Sequence, residues 1–432
     1  MIAGGGFGGF YAARTIERAM PAESTRITLV NDVNFLLYTP FLPEAAAGTL
    51  EPRHVVTPLR DVLRKTHLRL GVVVGRDAAR RTVTICDDDG TEHELSYDHL
   101  VVSLGSVSRV LPIPGLAEHA IGFKSLADAI WLRNHVIECL ETADAAEDAG
   151  RREELLTFLF VGGGYAGLEA LAELQDFAAE AMKFYPRARL HGMRWILVEA
   201  TDRVLPEIDQ RLADYALHQL RGRGIDVRLG TTLEEAAATS ARISTGETIS
   251  TRTLVWTAGV VPHPSGKNLG LPRDDSGRIV VDDHMRVQGE DAVWALGDAA
   301  AVPDPARPGS PCPPTSQHAV RQGKTVGRNV AAALGVGTPA PFSYKSLGQF
   351  VNLGRYKAVA RIGGLKFRGF PAWWMARTYH MSQIPGPMRK VRAVADWTVG
   401  LPFRRDIAEV GSIGHPRPLR AEEYERSGTH RA

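Results

Sequence analysis

Cysteine is scarce. The 432 residues carry three, Cys86, Cys139 and Cys312, and no CxxC or CxxxxC spacing. That argues against a disulfide framework, and against zinc or another metal centre, which needs clustered Cys or His ligands. Each thiol reads as a buried small residue or an ordinary surface group, in keeping with reducing, cytosol-facing conditions. Long apolar runs are missing too: no stretch reaches the roughly 18 residues that a membrane-spanning helix requires. No secretory leader is expected, because Met1-Ile2-Ala3 runs straight into glycines. Neither charge is in excess: 51 Lys and Arg against 49 Asp and Glu leave +2. No general affinity for nucleic acid is implied.

What is present is a globular composition, 44% apolar and 23% charged. A chain this long exceeds one ordinary core, so two or three domains are expected. Met1-Ile2-Ala3 reads as the end of a β-strand, followed at once by Gly4-Gly5-Gly6-Phe7-Gly8-Gly9 and a helix from Phe10 to Ala19. A strand of this kind usually has about 5 residues. It looks clipped, and the natural start is expected a few codons upstream. Arg26 to Val30 reads as the next strand, Leu100 to Leu104 as another ending at Gly105, and Ser125 to Glu147 as a long helix. A second apolar strand, Leu155 to Val161, then meets a second glycine cluster, and the pattern repeats: turn, helix, and the strand Arg194 to Val198.

Gly4-x-Gly6-x-x-Gly9 and Gly162-x-Gly164-x-x-Gly167 therefore both stand between a strand and a helix, the setting in which the pattern carries meaning. The first glycine makes the tight turn, the second admits pyrophosphate close to the backbone, and the third lets helix and strand pack closely. The helix end supplies free N–H groups and a positive dipole. One such turn is weak evidence; two, each opening a βαβ unit, imply two dinucleotides. Glu199 ends the second strand of the later unit, where a carboxylate accepts ribose hydroxyls and repels a 2′-phosphate. Arg203 nearby keeps the phosphorylated coenzyme in play. In the first unit Asn31 and Asp32 take the equivalent place, with less charge on the adenosine side.

With these motifs in order, the chain resembles the two-dinucleotide-binding flavoproteins, and within them the type II NADH:quinone oxidoreductases, over roughly Ile2 to Val410. Tyr97 to Gly105 resembles the strand and turn linking the two nucleotide domains. Gly297-Asp298 resembles the second FAD signature, whose Asp bonds the ribityl chain, and Trp256-Thr257-Ala258-Gly259-Val260 the nicotinamide-side strand. Pro313 to Gln322 resembles the segment beside flavin and quinone, with Ser316 and Arg321 departing from the family pattern while Gln317 and Gln322 keep it. The missing CxxxxC argues against a disulfide reductase, and the lack of paired reactive cysteines against a sulfide:quinone reductase.

The resemblance implies an α/β fold of two Rossmann-like domains, the NADH domain inserted in the FAD domain, plus a C-terminal membrane-associating helical region. The expected divisions are 1–115 and 275–345 for FAD, 116–274 for NADH, and 346–432 for the rest. FAD is expected at Gly4, Gly6, Phe7, Gly8, Gly9, Asn31, Asp32, Gly105, Gly297, Asp298 and Gln317, and NADH at Gly162, Gly164, Tyr165, Gly167, Glu199, Ala258 and Gly259. Glu169, read as a first-turn helix residue, would orient the nicotinamide, and a quinone would approach Gln317 and Gln322. Hydride would pass from NADH to flavin and two electrons onward, without proton pumping. An enzyme of the same fold with a soluble acceptor, such as a ferredoxin-like protein, is the alternative; a flavin-bearing redox sensor is the non-enzymatic one. A homodimer is compatible with either.

From Arg355 to Arg405 the sequence has 11 Lys or Arg and one acid, Asp396, interleaved with aromatics. Phe370, Trp373, Trp374 and Met381 can share one helical face, and Val391, Val394, Trp397 and Leu401 another. Such helices lie in the plane of a membrane, rings at headgroup depth and cations toward anionic lipid, each worth about 1 kcal/mol. Residues 365–405 are thus expected on an anionic membrane surface, on the cytoplasmic face of the cell membrane, as a peripheral contact. Core aromatics beneath a solvated basic face are the bland alternative. Nucleic acid is not expected, since no reading motif accompanies the basic stretch.

Overall fold

The computed structural model describes residues 1–345, 348–400 and 402–410. Strand β1 (Ile2–Ala3) runs into helix α1 (Phe7–Ala19), followed by β2 (Ile27–Asn31), the short helix α2 (Leu42–Ala46), β3 (Thr66–Leu70) and β4 (Leu100–Val102). The chain then builds a second unit: β5 (Ile121–Gly122), α3 (Leu126–Ala145), β6 (Thr157–Val161), α4 (Tyr165–Ala181), β7 (Arg194–Val198), β8 (Asp226–Arg228) and β9 (Thr253–Trp256). It returns to the first sheet with β10 (Val293–Ala295) and helix α5 (Ser316–Ala333). An antiparallel sheet, β11 (Gly348–Asn352), β12 (Ala358–Ile362) and β13 (Leu365–Arg368), leads to helices α6 (Phe370–Gln383) and α7 (Pro387–Gly400).

Both five-stranded sheets are parallel, with orders β10-β4-β1-β2-β3 and β5-β9-β6-β7-β8. In each, the strand that precedes a glycine turn is the central one, with the chain departing to both sides of it. That is the switch point where open α/β sheets bind ligands. Two-residue β1 suffices because it pairs on both edges, Ile2 with Leu29 and Val101. Strand β6 is buried at every position, as its continuous apolar run requires of a strand covered on both faces.

Some boundaries differ from the sequence expectation. Leu155 and Leu156 close a helix over Ala149–Leu156 rather than opening β6, because Asp148 accepts from the Arg151 N–H and caps the charged run. The first helix begins at Phe7, taking Gly8 and Gly9 into its first turn. The long helix α3 opens on a capping box, Ser125 and Asp128 bonding each other's backbone N–H.

One hydrophobic cluster underlies the first sheet and two cover the second, and the C-terminal helices pack on smaller ones, α6 and α7 together against Tyr38, Phe41, Leu50 and Val55. Glu44 of α2 is the anchor: fully buried, it accepts from Arg377 Nη2 (3.1 Å), Trp397 Nε1 (2.8 Å) and Asn352 Nδ2 (3.3 Å). Arg377 lies between two indoles, 4.1 Å from the Trp373 ring centre and 4.8 Å from that of Trp397. This corrects the expected membrane faces of α6 and α7. Trp373 packs inward on Ala358 and Ala360, and Trp397 turns toward Glu44 and Phe41. Phe370, Trp374, Val391 and Val394 remain exposed; Leu401 lies outside the described residues.

Candidate functional site

The two glycine turns have the same geometry. Gly4 has φ +100° and Gly162 φ +113°, a region open to glycine but costly for other residues. A Cβ on Gly9 would overlap the Gly4 carbonyl oxygen, and one on Gly167 the Gly162 carbonyl oxygen, so each helix packs directly on its own turn. A Cβ on Gly6 or Gly164 would meet nothing within 4 Å. The space above the middle glycine is open in both units, where a pyrophosphate would lie.

The helices that begin there are uncapped. Gly6 and Gly164 are the N-caps of α1 and α4, neither receives a side-chain cap, and neither first turn holds an acid. By contrast, Thr315 caps α5 through the His318 N–H. Uncapped N-terminal N–H groups and an unopposed positive dipole form an anion site. The residues present therefore fit two pyrophosphate-bearing cofactors. Phe7 and Tyr165 are the half-buried first helical residues of their turns, and Gly8 packs against Leu296.

A second shared feature fixes the adenosine side. In the first unit the Gly5 N–H donates to Asn31 Oδ1 (2.6 Å), and in the second the Gly163 N–H donates to Glu199 Oε2 (2.5 Å). Glu199 Oε1 accepts from Thr201 N and Oγ1 (2.9 and 2.8 Å), so the carboxylate is oriented yet keeps acceptor capacity for ribose hydroxyls. In the first unit Asp32, next to Asn31, is exposed. Arg203 is committed elsewhere: its Nη2 donates to the Ile208 carbonyl at 2.7 Å. With no ion pair between Arg203 and Glu199 among the described residues, Glu199 is expected to set coenzyme choice. A phosphate charge 4 Å from a carboxylate is opposed by about 4 kcal/mol at an effective dielectric near 20. Glu199→Gln should therefore raise NADPH efficiency relative to NADH by roughly tenfold or more, read as the ratio of stopped-flow flavin-bleaching rates. An unchanged ratio would remove Glu199 from selectivity.

The links between units converge on a third cluster. Residues Ser106–Ser108 pair antiparallel with Val260–Pro262, so the segments after Gly105 and Gly259, both at positive φ, form a two-stranded ribbon. Ala258 stands over the Gly162 turn. Asp298, after Gly297, accepts from Ser106 Oγ (2.5 Å), which accepts from Lys124 Nζ (2.6 Å). Burial lowers the Lys124 pKa and Asp298 opposes that shift. Sequence reading missed Ser106 and Lys124; a lone lysine before the Ser125 cap carries no motif.

The segment expected beside the acceptor is split by the structure. Gln317 accepts from Tyr344 Oη at 2.7 Å and is partly accessible. Gln322 is buried, its Oε1 accepting from the Gly297 N–H at 2.8 Å. It holds the Gly297-Asp298 turn from behind rather than lining an opening. Arg321 stacks on Tyr344, 4.3 Å from the ring centre.

Glu169 lies in the second turn of α4, not the first, because the helix starts at Tyr165. It faces a small space lined by Glu44, Phe41, Asn352, Arg377 and His380, and accepts from the Asn352 N–H at 2.7 Å. Burial pushes its pKa up to about 8, against the pull of that hydrogen bond. Glu173, one turn on, is also raised by burial, with Arg405 at 3.5 Å holding it down. Sequence reading missed Glu44. The only signal was one acid inside the apolar run Phe41 to Ala47.

A family model described as pyridine nucleotide-disulphide oxidoreductase matches residues 1–323. A type II NADH:quinone oxidoreductase of Mycobacterium tuberculosis is 30% identical over 92% of this chain and 87% of its own length. The chain belongs to the type II NADH:quinone oxidoreductase family. A demethylphylloquinone reductase of Synechocystis is also 30% identical, over 92% of this chain and 94% of its own. The fold matches NDH2 of Plasmodium falciparum, solved in complex with NADH: TM-score 0.86, 17% identity, covering 94% of this chain and 99% of that one. As a type II NADH:quinone oxidoreductase the chain is an FAD-dependent, NADH-using enzyme. The disulphide chemistry in the family description has no counterpart here. Cys139 and Cys312 are buried free thiols raised to about 12 and about 11 by burial, hence poor nucleophiles.

Proposed function

We propose that the chain oxidises NADH at the second glycine turn and delivers the electrons, through FAD at the first, to a membrane quinone. The observation that carries this reading is the duplicated uncapped turn, each with an adenosine-side acceptor at the next strand end, Asn31 in one and Glu199 in the other. FAD, when bound, supplies the redox chemistry, accepting hydride and releasing two electrons. The chain's own work is positioning. The α1 and α4 N-termini hold pyrophosphates, Glu199 takes the NADH ribose, Asp298 takes hydroxyls of the flavin side chain, and Gln322 keeps the Asp298 turn in register. Gln317, partly accessible where Gln322 is buried, would meet an incoming quinone headgroup. The quinone reading is preferred to a soluble acceptor because the two near-full-length relatives from Mycobacterium tuberculosis and Synechocystis carry quinone acceptors in their names.

Sheet membership supports the divisions 1–115, 116–274 and 275–345, since β5 to β9 form one sheet and β1 to β4 with β10 the other; 346–432 is proposed as the remaining division. Peripheral attachment through residues 365–405 is supported by the exposed apolar side chains of α6, α7 and the segment after α7. Trp374 and Phe403 are 60% and 65% exposed, with Phe370, Met388, Val391 and Val399 also above half. Such a concentration marks an interaction surface. Among the described residues no helix is long and apolar enough to cross a membrane.

The test is NADH oxidation by the flavin-loaded protein with and without a short-chain quinone, paired with co-sedimentation on anionic vesicles. A strong acceleration by quinone is expected. No acceleration with any quinone would reject the acceptor, and failure to sediment would reject the membrane surface.

A further inference from the structure

A cavity of about 560 Å³ lies away from both glycine turns. It is walled by α1, α5 and the hinge between α6 and α7, and its charge has one sign. Arg14 and Arg18 come from α1, Lys324 and Arg328 from α5, and Lys390 from α7. The helices bring these cations together because they cross at glycines. A Cβ on Gly323 would overlap the Gly8 carbonyl oxygen, and one on Gly327 would lie 2.6 Å from Thr15 Cβ. The hinge closing the groove is fixed by buried Ile384 and by Pro385, whose carbonyl accepts from Thr57 Oγ1 at 3.3 Å.

Among the described residues none of these five cations has a carboxylate within ion-pair distance. Arg328 donates to Thr325 Oγ1 and Lys390 to the Ser382 carbonyl, both neutral acceptors. The Lys324 ammonium sits against the Tyr11 ring, and its pKa is lowered first by burial and then by Arg321, Arg14, Arg18 and Arg328. Cations one helical turn apart repel. Five gathered around one cavity without an acid form an arrangement that an anion would relieve.

We infer that this groove binds the phosphate headgroup of an anionic phospholipid. The apolar border of the groove identifies the lipid source. Met388, exposed, stands between the hinge and Lys390, and Val391, exposed, comes immediately after it. An acyl chain leaving a phosphate at Lys390 would run onto this apolar surface, whereas free phosphate would make no use of it. A neutral quinone ring has no need of five cations. The inference rests on the reading that α6 and α7 lie at a membrane surface, and it adds a defined headgroup site to that general attraction.

The test uses the flavin-loaded protein and thermal unfolding with three probes: dihexanoyl-phosphatidylglycerol below its micelle threshold, dihexanoyl-phosphatidylcholine, and inorganic phosphate. The phosphatidylglycerol should raise Tm saturably and the other two should not. In Arg14→Gln/Arg328→Gln the apparent Kd should weaken by roughly tenfold or more. Flavin content and oxidation of NADH with a water-soluble quinone report whether that variant is folded, since neither residue faces a glycine turn. Equal shifts with phosphate, equal shifts in the variant, or no shift at all would each overturn the inference. Vesicle co-sedimentation separates the two levels: no binding to anionic vesicles refutes the surface reading itself. Binding without any effect of the short-chain lipid refutes the groove alone.

Discussion

Gly164→Val should give a yellow protein that NADH no longer bleaches, and Gly6→Val a colourless one. The two substitutions are chosen because the folded chain tolerates them. Gly6 has φ −66°, ψ −168° and Gly164 φ −74°, ψ −176°, extended backbone that a β-branched residue adopts readily. Neither Cβ would touch a protein atom. The added isopropyl group instead fills the space over the helix N-terminus and covers the N–H groups that would face a pyrophosphate. Loss of those contacts should weaken NADH by roughly 100-fold or more, about 2.7 kcal/mol, in Gly164→Val. Gly6→Val should lose most of its flavin during purification. Absorbance of the purified proteins gives flavin per chain, and stopped-flow mixing with NADH gives the bleaching rate. Normal bleaching of Gly164→Val would mean that NADH binds elsewhere. Gly9 and Gly167 are poorer probes, because even an alanine there collides with the turn's own carbonyl and threatens the fold.

That both turns can be read from the chain reflects how local their causes are. Three glycines, a preceding apolar run and a following helix lie within about a dozen residues, and each glycine has its own steric reason. The strand order comes from the same repetition. The C-terminal region is less legible because its decisive contacts are distant in sequence. Glu44 meets Trp397 across 353 positions and Arg377 across 333. Composition treats every ring in residues 365–405 alike, whereas burial sorts them: Arg377 needs a carboxylate, and the indoles that flank it are drawn inward with it. The chain Lys124, Ser106, Asp298 is equally non-local, with Ser106 and Asp298 192 positions apart. The misplacement of Glu169 by one turn has a simpler origin. With Gly164 as cap the helix already begins at Tyr165 and takes Gly167 into its first turn, so Glu169 falls in the second and the supposed dipole-favoured acid is a buried one.

That burial leads to the second large effect. At neutral pH a carboxyl with its pKa raised to about 8 is mostly protonated. A protonated carboxyl offers one donor and one acceptor, the complement of a carboxamide; an ionised one offers acceptors only. If Glu169 orients the nicotinamide amide, wild-type kcat/KM for NADH should fall by roughly tenfold per pH unit above 8. Glu169→Gln, which keeps donor and acceptor, should be flat through the same range. Stability supplies an independent reading with its own sign. The folded pKa lies above the unfolded one, so between about 4.5 and 8 the folded state holds a proton that the unfolded state has lost. Wild-type stability therefore declines across that window and levels off above it, by a few kcal/mol at about 1.36 per unit. Denaturant unfolding at pH 5, 7 and 9 should show Glu169→Gln gaining on the wild type between pH 5 and 8 and no further beyond. Glu173 is raised in the same direction and its charge helps raise Glu169, so the difference between the two proteins reports the Glu169 proton together with its effect on Glu173. Parallel pH profiles for the two, in activity and in stability, would place the Glu169 proton outside the enzyme's working range and leave the residue a packing role against Asn352.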